Sequence, residues 1–187
     1  MKLKKINAAF GLFSMAFVLF HVFYMIITLS MFDFGSVVSI TISYITLSVL
    51  MVHVVLALII VLFKHEGSSL SSYPKENRRV ILQRLTAVLM LALIFVHINT
   101  FHIFEADFDA VAAIVLNIII KVSFFACVFT HIATSFSSAL ITLGLLESLQ
   151  KKKIIDKTVY IIFGILFVVS LFAVLRAEII IKLFIIK

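Results

Sequence analysis

Five long apolar runs, separated by short polar links, constrain this chain more than any other feature. Each run is about 20 residues or more, long enough to cross a hydrocarbon layer of about 30 Å as a helix. Inside lipid a chain must satisfy its backbone N–H and C=O groups within itself, and an α-helix does so. The runs cover roughly 6–32, 37–63, 80–104, 110–146 and 158–186. They predict an all-α integral membrane protein, one domain over residues 1–187, with five transmembrane helices. Charged residues make up 13% of the chain, against about 25% in soluble domains, which points to the same class. The first run follows MKLKK, as a secretory signal would, but it exceeds a signal core of about 7–15 residues. It reads as a retained span.

The charges between the runs set a topology. Lys2, Lys4 and Lys5 precede the first run; Lys64, Lys75, Arg78 and Arg79 lie between the second and third. Lys151, Lys152, Lys153 and Lys157 lie between the fourth and fifth. The other two links carry Asp33, Glu105, Asp107 and Asp109 and no Lys or Arg. Basic links stay in the cytoplasm, so the N-terminus is expected inside and the C-terminus outside. The net charge of +7 is thereby a topology signal, and nucleic acid is not an expected partner. The lone Cys127 leaves no disulfide within the chain and no cysteine-based metal site.

Four of the runs each hold one deep histidine: His21, His53, His97 and His131. Ionisable residues at such depth are costly and by default functional candidates. Depth follows from a rise of about 1.5 Å per residue. Measured from the acidic links, His21 lies about 18 Å and His97 about 12 Å in. His53 and His131 lie about 30 Å in, less the length of the turns. The four thus form an outer pair on spans one and three and a cytoplasmic pair on spans two and four. These are the diagonals of a four-helix bundle. Facing helices of a bundle build cofactor sites from such side chains, and imidazole is a common axial ligand of heme iron. Two pairs at two depths would hold two hemes, so the first four spans are expected to form a heme-binding bundle. His65 and His102 sit at span ends and read as interfacial.

Other charges fall within the apolar runs. Lys121 lies near the level of the outer histidines and Arg176 in the outer half of the last span. Either would suit a heme propionate, since charge-assisted hydrogen bonds to carboxylates are strong. Lys121 could equally snorkel to the interface. Arg176 could pair with Glu178, although residues two apart do not share a helix face. Arg84 is placed to hold a propionate of the inner heme or to mark the membrane surface. His102, Glu105 and Glu178 are the ionisable groups near the outer face that could exchange protons with a quinone.

The third span adds a motif. Leu82-Gln83-Arg84 is followed thirteen residues later by His97, and the pattern continues through His131, Ser135 and Gly144 to Leu175-Arg176-Ala177. In these residues the chain resembles the large cytochrome b subunit of succinate dehydrogenases and fumarate reductases, of the single-subunit, five-helix, diheme type that works with menaquinone. The resemblance covers most of the chain. Ser137 and Leu143 stand where that family commonly has tryptophan. The resemblance implies two b hemes, His21 and His97 on the distal one and His53 and His131 on the proximal one. It sets Ser135, Gly144 and Arg176 among the cofactor-binding residues. It also implies menaquinone as substrate, a flavoprotein and an iron–sulfur protein docked on the cytoplasmic side, and a place in the inner (cytoplasmic) membrane. No site for succinate or fumarate is expected on this chain. Two other readings fit four deep histidines: the cytochrome b anchor of a different quinone-linked oxidoreductase, such as a hydrogenase or formate dehydrogenase, and a proton or metal transporter with a histidine relay.

Overall fold

The computed structural model of the chain describes residues 2–31, 36–63, 74–103 and 110–180. They form five α-helices: α1 Lys2–Met31, α2 Val37–Phe63, α3 Pro74–Ile103, α4 Ala110–Leu143 and α5 Leu149–Ile180. All five contain stretches long and apolar enough to cross a membrane, and the chain is a multi-pass helical membrane protein.

Local chemistry sets the helix ends, and it moves three of them from where hydropathy put them. Ser36 starts α2: its Oγ accepts from the Ser39 backbone N–H at 3.3 Å, the bond an N-cap makes to the third helical residue. Ser148 caps α5 in the same way, accepting from the Lys151 N–H at 3.5 Å. The basic segment before Thr158 is therefore helix, not link. Pro74 opens α3, where its missing N–H costs nothing, six residues ahead of the predicted span. Helix α4 stops at Leu143 because Gly144 takes φ +80°. The Leu145 N–H reaches the Leu140 carbonyl at 2.9 Å and the Gly144 N–H reaches that of Ile141 at 3.0 Å. This pair of bonds is a Schellman termination. Gly144, expected within span four and among the cofactor-binding residues, ends the helix three residues before the predicted end of the span and turns the chain into α5.

Hydroxyls within the apolar runs are silenced locally. Thr41, Ser43, Ser48, Thr134 and Thr142 each donate to the carbonyl four residues back, at 2.8 Å in every case. A hydroxyl bonded to its own helix can face lipid or a neighbouring helix without an unmet donor.

The helices pack in the row α2, α1, α4, α3, with α5 laid against α4 and α1. Among the described residues, α2 and α3 do not close against each other, and the diagonals α1/α3 and α2/α4 have no extensive backbone packing. The apolar core lies where α1, α4 and α5 meet, on Val22, Val128, Phe129, Ile132, Ala133, Val159 and Phe163. A run of rings extends it: Phe124, Phe125 and Phe129, then Phe163 and Phe167 of α5, with centroids 5.9 to 6.4 Å apart. Large apolar side chains such as Phe20, Phe23, Tyr44, Leu62, Phe95 and Phe172 stay exposed, as lipid-facing residues do.

Candidate histidine sites

Each of the first four helices contributes one imidazole, and all four rings are half-buried. His53 of α2 neighbours His131 of α4 in the bundle, and His21 of α1 neighbours His97 of α3. The depth count sorts the four rings by level in the same way. The first pair lies toward the end of the bundle that carries the α4–α5 turn. The second lies in the other half, with Lys121 close to His97.

The pairs differ in how their rings are held. His131 Nδ1 lies 3.0 Å from the Gln83 carbonyl and 3.4 Å from Thr86 Oγ1. A carbonyl only accepts, so Nδ1 carries the proton and Nε2 is left with its lone pair. A bond of this kind fixes the ring and its tautomer, as it does for histidines that bind metal. Thr86 is buried and gives its own proton to the Leu82 or Gln83 carbonyl, at 2.8 and 3.1 Å. Its oxygen is left to face the ring. The Nδ1 atoms of His21, His53 and His97 are buried without a hydrogen-bond partner. The His97 ring stacks on Phe124, with centroids 4.8 Å apart and planes inclined by 21°.

The charges near these rings find partners that the sequence does not display. Lys121 pairs with Glu178 of α5, and Asn117 Nδ2 donates to the same Glu178 Oε1 at 2.9 Å. Lys121 therefore has a protein carboxylate rather than a route to the interface, and Glu178 is buried in that pair rather than beside Arg176. Arg176 is exposed and reaches the Ser30 carbonyl at 3.3 Å. Arg84 is exposed. At its end of α3 the buried work is done by Arg79, one turn earlier. Arg79 forks onto Asp156 of α5 at 2.8 and 3.0 Å, gives Nε to the Thr134 carbonyl at 2.7 Å and its second terminal nitrogen to Ser137 Oγ at 2.7 Å. Ser135 Oγ bonds the His131 carbonyl at 2.7 Å, so its hydroxyl is turned back on its own helix. The side chain of His102 and the whole of Glu105 lie outside the described residues.

Sequence reasoning passed over Arg79, Asp156, Asn117 and Gly11. Two carried a readable signal: Asn117 is a lone amide in an apolar run, four residues before Lys121 and so on its face, and Asp156 is the single acid in a lysine-rich segment. Gly11 lies against the His53 ring, which nothing in its own neighbourhood of sequence announces. Among the described residues, no three of His, Cys, Asp and Glu gather as a metal-binding group. No protein-family model, curated protein or solved structure matches the chain.

Proposed function

We propose that this chain is the membrane-anchor cytochrome b of a quinone-linked oxidoreductase of the succinate dehydrogenase and fumarate reductase kind. One observation carries the reading: four histidines, one per helix, paired across the two diagonals of the α1–α4 bundle. Each pair would hold one b heme, His53 and His131 the proximal, His21 and His97 the distal. When bound, the hemes supply reversible one-electron chemistry at two depths of the membrane, between a cytoplasmic iron–sulfur protein and menaquinone.

The residues present suit such a group. The paired rings sit on helices held apart rather than packed together. His131 keeps Nε2 as its free lone pair by giving the Nδ1 proton to Gln83. The chain's own tasks are then to fix the rings, exclude water with the Phe124–Phe167 ladder, and keep α5 registered through Arg79–Asp156 and Lys121–Glu178. Lys151, Lys152, Lys153 and Lys157, on the cytoplasmic side by the positive-inside rule, offer a face for the iron–sulfur and flavoprotein partners. A quinone would exchange protons near the opposite face, with His102, Glu105 and Glu178 the candidates; at Glu178 this would mean parting from Lys121.

A pyridine hemochrome assay on the purified chain tests the reading. The expected result is two b hemes per chain, with His53→Ala and His131→Ala each removing the same heme and His21→Ala and His97→Ala the other. A heme-free chain from heme-supplied cells would sink it.

A further inference from the structure

Helix α1 contributes His21 to one pair, but it also touches the other. Gly11, ten residues before His21, lies against the imidazole of His53 on α2. A Cβ built on Gly11 would stand 3.1 Å from His53 Cε1, 3.5 Å from Nδ1 and 3.7 Å from Nε2. The first distance is inside ordinary carbon–carbon contact of about 3.5–4.0 Å, so any side chain here must displace the ring. Ser14, on the same face of α1 and buried, gives its Oγ proton to the Gly11 carbonyl at 3.0 Å. Gly11 thus presents His53 with bare backbone. A glycine inside a helix is less favourable than alanine, and a second intramembrane glycine shows that the fold does not need bare backbone everywhere. At Gly164 of α5 an added Cβ meets nothing within 4 Å.

We propose that Gly11 is a positioning residue for His53: its missing side chain seats the imidazole against α1 and sets the plane in which that ring meets the group it shares with His131. The proposal rests on the heme reading above and adds to it a residue on a helix that supplies no ligand to this pair. It also gives α1 a part in both sites, as ligand donor in one half and as the seat of a ligand in the other.

The test compares Gly11→Ala, Gly11→Leu and Gly164→Ala in the full chain, by heme count and by electron paramagnetic resonance of the ferric form. The largest g value of a bis-histidine heme responds to the angle between its two imidazole planes. Gly11→Ala should keep two hemes and shift that value for one of them. Gly11→Leu should lose one heme, the same one that His53→Ala removes. Gly164→Ala should leave both signals in place. In heme-free protein Gly11→Ala should lower the unfolding temperature while Gly164→Ala holds or raises it. Two hemes with unmoved signals in both Gly11 variants would overturn the proposal and leave the heme reading standing. Loss of both hemes together would overturn it too, by showing a general packing role. An unsubstituted chain without heme would remove the reading and the proposal at once.

Discussion

Each half of this bundle holds two histidines and one ion pair that ties α5 to the rest, yet the two halves are built differently. In the half nearer the α4–α5 turn, His131 is bonded to Gln83 and His53 is seated on Gly11. Its ion pair is a two-pronged fork from Arg79 to Asp156, with the remaining Arg79 nitrogen spent on Thr134. In the other half the His21 and His97 Nδ1 atoms have no partner, nor has Asn117 Oδ1 beside the Lys121–Glu178 pair; in the first half the same holds of His53 Nδ1 and Asn7 Oδ1. The halves differ in one ring: a protein hydrogen bond fixes His131, and none of this kind fixes His21 or His97. The ring geometry of the second half should therefore depend more on what binds there.

The largest effect that can test this contrast lies at Lys121–Glu178. Both side chains are close to fully buried, at 12% and 9% exposure. Removing one partner strands the other's charge, which costs about 3–5 kcal/mol in such a pair. Lys121→Met or Glu178→Gln alone should therefore sharply lower the unfolding temperature in detergent, and the double variant should recover most of the loss. If the single variants are as stable as the parent, the pair is not a fastener. Arg79→Ala should cost less, about 1.5–3 kcal/mol for hydrogen bonds to a charged group, because Asp156 at 20% exposure can take up water. The same variant should loosen His131 through Thr134, whose Oγ1 bonds the His131 carbonyl at 3.0 Å, and so disturb the His53–His131 heme alone. Gly144→Ala forces a left-handed backbone on a residue with a Cβ, at about 1–2 kcal/mol, and should show as lower thermal stability with both hemes kept. The smallest change is Thr86→Val, which removes one interhelical hydroxyl worth about 0.6 kcal/mol. Its stability should barely move, while the spectrum of the His131 heme shifts; a shift in the other heme instead would reverse the assignment of the two halves.

The five helices were legible because lipid permits so little else: apolar runs of this length fold as helices whatever their neighbours do. Depth counted along the chain sorts the histidines into two levels for the same reason, since a straight helix converts residue number into height. What the count could not convey is lateral. That Glu178 meets Lys121 across 57 positions, or that Arg79 rather than Arg84 turns inward onto α4 and α5, depends on how each helix is rotated about its axis. These helices are apolar nearly all round, so no polar stripe announces that rotation. The caps were missed on different grounds. Ser148 and Pro74 start helices in polar sequence, where hydropathy has nothing to say and side-chain hydrogen bonding decides.

Helix α5 has 32 residues, about 48 Å at a rise of 1.5 Å each. The hydrocarbon it must cross is about 30 Å thick, and even a tilt of about 40°, the upper end of the usual range, would leave several ångströms over. The surplus falls at one end by sequence, since Lys151, Lys152, Lys153 and Lys157 occupy the first turns and an uncharged, mainly apolar run from Thr158 to Leu175 follows. The Ser148 cap keeps those turns wound, and the Arg79 fork to Asp156 braces them against α3. The lysines accordingly ride on a rigid post, at fixed height and spacing, and not on a slack tether. A partner approaching this face meets a charge pattern that is already set before contact and loses no order in being read.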